Sequence, residues 1–146
     1  MYSFRSAAES DREILYSIMS KNMSDYFQRF TSEGWSREKF DTGFRPERIT
    51  ICEKDGKVVA FYDVDLIRQN ASALYVRNVQ VVPGSKPISG VLLQRIEEEA
   101  RMRGLKLMRG KVFGSNPAIR IFSRLGFQVV EEIESEHSYW MEKTVS

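Results

Sequence analysis

Residues 116–127 read Asn116-Pro117-Ala118-Ile119-Arg120-Ile121-Phe122-Ser123-Arg124-Leu125-Gly126-Phe127, and the reading of this stretch decides the fold. Asn116 stands where it can cap a helix whose first turn begins at Pro117, a position at which a missing N–H breaks no intrahelical bond. Ala118, Ile121, Phe122 and Leu125 follow at i, i+3, i+4 and i+7, one continuous apolar stripe. Gly126 then occupies the place where helices end on a left-handed residue, and Phe127, Val129 and Val130 begin an apolar run. The stretch predicts a short amphipathic helix that delivers the chain into a strand.

Upstream, Leu105 to Val112 predicts a strand. Before it, Ile88, Leu92, Ile96 and Ala100 mark a helix by i+4 spacing, with Val91 and Leu93 widening its stripe. Glu97, Glu98 and Arg101 are expected on its outer face, Pro87 near its start and Gly104 just after its end. Leu74 to Val82 reads as a long strand stopped by Pro83, and Arg68 to Ser72 as a polar connection. Ile49 and Ile51 open a strand that returns as Val58 to Leu66 through the Asp55-Gly56 hairpin signal. Nearer the start, Tyr2 to Arg5 predicts a first strand. A helix follows with Ile14, Leu15, Ile18, Met19, Met23, Tyr26, Phe27 and Phe30 on one face, begun by Ser10 or Asp11. Ser36 caps a shorter helix carrying Phe40 and Phe44. Phe127 to Ile133 and Tyr139 to Met141 close the chain as strands. The order β-α-α-β-β-β-α-β-α-β-β predicts an α/β fold, a mixed central sheet of six to seven strands with helices on both faces. Its central strand-helix-strand unit is expected to be a right-handed crossover. With no repeat or linker, residues 1–146 read as a single domain.

Composition narrows the function. Hydrophobic residues make up 42% and charged residues 29%, a globular rather than a disordered balance. A net charge of +2 gives no argument for nucleic acid. Cys52 stands alone and His137 is the single histidine, so a Cys- or His-based metal centre is not expected. No apolar run approaches the ~18 residues of a membrane helix, and Met1 to Ala8 has no signal-peptide core. The expected setting is the cytoplasm, where a lone thiol stays reduced.

Three segments carry a resemblance. The Arg124-Leu125-Gly126-Phe127 ending resembles the last helix-to-strand junction of the Gcn5-related N-acetyltransferases (GNAT), which often reads Asn-x-x-Ala-x-x-x-Tyr-x-x-x-Gly-Phe. Asn78-Val79-Gln80-Val81-Val82-Pro83 is similar to the family's fourth strand with its Val-x-Pro ending, and Ala100 to Leu105 to its exit from the third helix. Trp35, together with Leu74, Tyr75, Asn78 and Gln80, resembles one branch of that family. The element order agrees over essentially the whole chain.

The resemblance implies acetyl-CoA as cosubstrate, no metal, and transfer of the acetyl group to a primary amine on a small molecule or peptide. It places the diphosphate at the turn before the third helix, on Lys86, Ile88, Ser89 and Gly90, where helix N–H groups receive anions. This turn, Gly84 to Gly90, is about two residues shorter than the family's and lacks its Arg/Gln-x-x-Gly-x-Gly/Ala spacing, which implies an altered phosphate grip. The main chain of Val79, Gln80 and Val81 would pair with the pantetheine arm and polarise the thioester carbonyl. Asn116 and Phe122 complete the implied cofactor set. Phe122 takes the position of the family's proton-donating Tyr, and Ser115 that of its Asn, with Asn116 one residue later. Tyr139, Ser123 and Tyr75 are then the candidates for the acid, Tyr139 first, and Asn78 can order a water near the amine.

Other residues keep two readings open. Asp63 and Asp65 are a cation-attracting pair or a solvated strand face. Trp35, Phe40, Phe44, Tyr26 and Phe30 are an acceptor-pocket wall or core, and an aromatic helix face also offers a homodimer surface. His137 reads as an exposed edge residue, and Arg101, Arg103, Lys106, Arg109 and Lys111 as a surface run paired by neighbouring carboxylates. The alternative to an enzyme is a catalytically degenerate member of the fold, a CoA-binding or protein-interaction module.

Overall fold

Hairpin chemistry sets the first turn of the sheet. Asp55 and Gly56 take φ of 53° and 78°, the left-handed pair that a two-residue hairpin requires. In the computed structural model, which describes residues 1–67, 70–86 and 88–146, they join β2 (Ile49–Lys54) to β3 (Lys57–Ile67). Before them stand β1 (Tyr2–Ser6), α1 (Arg12–Phe30) and α2 (Arg37–Gly43). After them come β4 (Asn70–Val81), α3 (Ser89–Met102), β5 (Leu107–Phe113), α4 (Ala118–Arg124), β6 (Gln128–Ile133) and β7 (Ser138–Thr144). The order is the one expected from the sequence. The strands form one seven-stranded sheet, β1-β2-β3-β4-β5-β7-β6, in which β4 and β5 run parallel. Pairs β1/β2, β2/β3, β5/β7 and β6/β7 are antiparallel.

Several boundaries differ from expectation: β5 spans Leu107–Phe113 rather than Leu105 to Val112, and β4 and β7 are longer than predicted. β4 begins at Asn70 rather than after a polar connection through Ser72, and just before its ladder with β5 the Ser72 carbonyl accepts the Lys106 N–H at 2.7 Å. β7 runs over Ser138–Thr144 because β5 and β6 supply ladders on both its sides. Tertiary pairing outweighs the weak strand preference of the residues concerned. Arg68, Gln69 and Pro87, read above as a connection and a helix start, lie outside the described residues.

The chain divides into two compact units. The first is Met1–Asp63 with Val79–Pro87. Its core is Leu15, Ile18 and Met19 of α1 with Phe44, Ile49, Ile51 and Phe61, and Trp35 and Phe40 pack against it. Ile14 is exposed, so the α1 stripe is narrower than its sequence suggests. Ser36 caps α2, its Oγ accepting the Lys39 N–H at 3.1 Å. Asp11 precedes α1 without capping it. Its buried carboxylate instead takes two Arg5 N–H bonds at 2.9 Å and the Ala8 N–H at 2.8 Å. The Arg5 guanidinium thereby holds the Asp11 carboxyl below the usual carboxylate range.

The second unit is Val64–Asn78 with Ile88–Ser146. Ile88, Leu92, Ile96 and Ala100 are buried as their spacing predicts, and Leu93 joins them. Val91 does not, remaining 43% exposed. Glu97, expected outside, is only 7% exposed. It accepts Lys143 Nζ at 2.8 Å and, on its other oxygen, the Ser146 N–H and hydroxyl at 3.0 Å each.

In the deciding stretch, Asn116 Oδ1 accepts the Ala118 N–H at 2.9 Å, the expected cap, although regular helix begins one residue after Pro117. Gly126 takes φ of 100°. The Phe127 N–H closes back onto the Phe122 carbonyl at 3.0 Å, and the two rings meet at 5.7 Å. That is a Schellman ending with its hydrophobic contact. Of the predicted stripe, Ala118, Phe122 and Leu125 are half-buried and Ile121 is exposed, so no α4 side chain is fully buried. No described helix is long and apolar enough to cross a membrane.

Candidate functional site

The start of α3 has the properties of an anion receptor. The Ile88 carbonyl accepts the Leu92 N–H at 3.1 Å, and no side chain caps the helix. The N–H groups of Ser89, Gly90 and Val91 have no acceptor within the helix and lie at its positive end. A Cβ on Gly90 would meet nothing nearer than Leu125 Cδ2, at 3.9 Å, so the backbone is open there. The Ile88 side chain belongs to the buried stripe, which leaves its main chain as the part a ligand could reach. In the first unit, Gly84 takes φ of 84°, Ser85 N–H bonds the Val82 carbonyl at 3.1 Å, and Lys86 is exposed.

The parallel ladder of β4 with β5 pairs Ala73 through Val76 with Leu107 through Gly110, and β4 then runs on to Val81. A Cβ on Gly110 would stand 3.2 Å from the Val76 carbonyl oxygen, so glycine lets the strands close at this last rung. Gln80 is 7% exposed, with Val79 and Val81 half-buried beside it. The Asn22 side chain of α1 donates to Gln80 Oε1 at 3.1 Å and to the Val81 carbonyl at 2.9 Å.

Register brings the two candidate catalytic residues onto one face. Val76 opposes Gly110, and Gly110 opposes Met141. Asn78 and Tyr139 each lie two residues from that row, on the same face by strand alternation. Tyr139 is half-buried, its ring edge bounding the space over Gly114, and its hydroxyl has no hydrogen-bond partner among the described residues. Tyr75 is engaged otherwise: its ring packs 5.6 Å from Trp140 and under the Arg77 guanidinium. Ser123 is exposed on α4. Phe122 is half-buried and committed to the helix ending, and the Asn116 side-chain oxygen to the cap.

The remaining candidates are resolved by their partners. Asp63 is 4% exposed and paired with Arg48 at 3.2 Å, so it is neither a solvated face nor a lure for a cationic substrate. Asp65 accepts its neighbour's N–H, from Leu66 at 2.8 Å. Trp35, Phe40 and Phe44 form one stack with Tyr16 and Phe27, with Trp35 Nε1 bonded to Ser20 Oγ at 3.0 Å. They are packing residues, and the Phe30 ring lies under the Arg29 guanidinium at 4.9 Å. His137 sits exposed in the β6–β7 turn at φ 52°. Arg103, Arg109 and Lys111 pair with Glu99, Glu142 and Glu136. Cys52 is buried, and among the described residues no group of carboxylates, Cys and His is arranged to hold a metal.

No protein-family model matches the sequence, and no curated protein sequence does. Solved structures do match. The ribosomal-protein-S18-alanine N-acetyltransferase of Escherichia coli superposes with a TM-score of 0.72 at 21% identity, over 100% of this chain and 95% of that one. Ard1 of Thermoplasma volcanium gives 0.77 at 17% identity, over 99% and 98%. The PaiA N-acetyltransferase of Thermoplasma acidophilum, in complex with coenzyme A, gives 0.74 at 17%, over 99% of each chain.

The chain has the Gcn5-related N-acetyltransferase fold.

Within the GNAT fold, the strand resembling the family's fourth is β4 and the helix before the Gly-Phe junction is α4, as expected. Two residues at the β4 region went unread in the sequence. Gly110 had a signal, an isolated glycine inside a strand pattern, which marks close backbone approach. Asn22 had a weaker one, a polar residue at i+3 and i+7 from buried Met19 and Leu15.

Proposed function

We propose that this protein is an N-acetyltransferase that moves the acetyl group of acetyl-CoA to a primary amine by direct attack. The observation that carries the proposal is the short β4–β5 ladder, which ends at Val76 and Gly110 while β4 continues to Val81 within a GNAT fold. In this reading the pantetheine arm lies along the main chain of Val79–Val81 as a neighbouring strand would. The first-turn N–H groups of α3, at Ser89 and Gly90, receive the diphosphate with Lys86 adding charge. A Val79–Val81 N–H polarises the thioester carbonyl, Asn78 orders a water that takes the proton of the attacking amine, and the Tyr139 hydroxyl protonates the departing thiolate. Acetyl-CoA is consumed, and the products are the N-acetylated amine and the free CoA thiol. Coenzyme A in the complex of the Thermoplasma acidophilum neighbour supports the cosubstrate.

Millimolar acetyl-CoA is expected to raise the melting temperature, by about 2.7 kcal/mol of stabilisation at a hundred times Kd. Absence of any rise would overturn the proposal. One observation favours the second reading, a binding module without catalysis: Phe122 offers a ring to Phe127 where a proton donor would stand. Thiol release with a panel of primary amines separates the two. In the enzyme reading, Tyr139→Phe lowers kcat about 10²-fold with KM for acetyl-CoA within about two-fold. An unchanged kcat removes Tyr139 from the acid role.

A further inference from the structure

We infer that Gly114 is a positioning residue for acetyl transfer: having no side chain, it lets the Tyr139 ring lie where its hydroxyl protonates the departing thiolate. The inference rests on the acetyltransferase reading and on Tyr139 as its acid. Gly114 stands in the turn between β5 and α4, which the Asn116 N–H closes on the Phe113 carbonyl at 3.0 Å. Its φ is not positive, so the backbone conformation does not call for glycine. What excludes a side chain is the neighbouring strand. A Cβ on Gly114 would stand 3.0 Å from Tyr139 Cε2, 3.7 Å from Tyr139 Cδ2 and 3.3 Å from the His137 carbonyl oxygen.

Tyr139 directly opposes Val112 across the β5/β7 ladder, and Gly114 lies two residues beyond Val112, at the diagonal position an aromatic ring can reach. The ring leans past its own partner and over the glycine. The Gly114 N–H donates to the His137 carbonyl at 2.7 Å, one rung beyond the Phe113–Ser138 pair. The glycine backbone therefore cannot draw back from β7 without losing that bond. In Gly114→Ala it is the ring that yields, from 3.0 Å to the 3.4–4 Å of ordinary contact. The hydroxyl lies farther than Cε2 from the pivot at Tyr139 Cβ, so it moves further still. Among the described residues the hydroxyl has no hydrogen-bond partner and the ring no aromatic or cationic one, so nothing draws them back. A displacement of about 1 Å costs a group that acts by geometry about 10²-fold in rate.

A glycine beneath an aromatic ring of the next strand also serves as sheet packing alone, and the test separates the two roles. Wild type, Tyr139→Phe, Gly114→Ala and the double variant are compared in thiol release from acetyl-CoA with an amine that wild type acetylates. Gly114→Ala is expected to lower kcat about 10- to 100-fold, with KM for acetyl-CoA within about two-fold. In the Tyr139→Phe background, which has no proton to deliver, the same substitution lowers kcat by less than about two-fold. Packing alone would leave kcat unchanged in Gly114→Ala, or would repeat the same loss in both backgrounds, and either result overturns the inference while leaving the acetyltransferase reading intact. An unchanged kcat in Tyr139→Phe overturns it together with the acid role of Tyr139. A wild-type protein that binds no acetyl-CoA overturns the acetyltransferase reading as well. Should Gly114→Ala not fold, wild type decides: a nuclear Overhauser contact between Gly114 Hα and Tyr139 Hε is expected with and without bound CoA, and its loss on binding overturns the inference.

Discussion

Gly126→Ala is expected to cost about 2–3 kcal/mol of stability, more than a single methyl group ordinarily costs. At φ of 100° an L-residue is strained, by about 1–3 kcal/mol. The added Cβ would also stand 3.0 Å from Lys143 Cε and 3.5 Å from Cδ. The lysine stem can move, but its Nζ holds the Glu97 carboxylate at 2.8 Å, so movement weakens that pair. Gly104→Ala is the control. It sits just after α3 at φ of 72° with no atom within 4 Å of where the new methyl would stand, so it isolates the conformational cost, about 1 kcal/mol. Urea unfolding of both variants measures the difference. Equal losses would show that crowding against Lys143 contributes nothing.

The second large effect is centred on the carboxylate that lysine binds. Glu97→Ala is expected to lose about 3 kcal/mol, because it strands Lys143 and two Ser146 donors at a site where the carboxylate side chain is 9% exposed and the lysine 27%. Burial pushes the Glu97 carboxyl up, but the bonds from Lys143 and Ser146 outweigh it, and the group ionises below the usual range. The sign follows. The unfolded chain binds this proton at higher pH than the folded one, so the stabilisation is present above the unfolded value of about 4.3 and is lost as pH falls through the lower folded value. Asp11, lowered by its bonds from Arg5, acts in the same direction. Unfolding free energies between pH 7 and pH 3 should therefore fall less steeply in Glu97→Gln than in wild type. An unaltered slope would remove Glu97 from the acid sensitivity. Gly126→Ala should also cost less in the Glu97→Gln background, since both changes act on one lysine.

What the sequence disclosed was local and periodic. The α3 stripe, the Asp55-Gly56 turn, the Asn116 cap and the Gly126 ending are each written within a few turns of chain, and each appears where its pattern places it, the exposed Val91 of α3 apart. What it withheld depends on partners far along the chain. Glu97 looked like an outer-face carboxylate because Lys143 and Ser146 lie more than forty residues away. Asp63 kept two readings, a cation-attracting pair with Asp65 or a solvated face, because the Arg48 that pairs with it stands before the hairpin. The candidate site was legible in the same uneven way. Its helix start and its fourth strand could be located from short motifs, whereas the Asn22 contact with Val81 spans fifty-nine positions and leaves only an unexplained polar residue on an apolar stripe. Phe122 is the instructive middle case. Its register could be counted from Gly126, but its partnership with Phe127 follows from how helices end, not from the motif it stands in.

The two tryptophans are divided between the units. Trp35 belongs to the first, stacked on Tyr16, and Trp140 to the second, beside Tyr75 and under the Arg109 guanidinium. The molecule thus contains a separate intrinsic fluorophore for each half. Emission from Trp35→Phe reports on one half and emission from Trp140→Phe on the other, so denaturation curves of this pair reveal directly whether both halves melt in a single cooperative step.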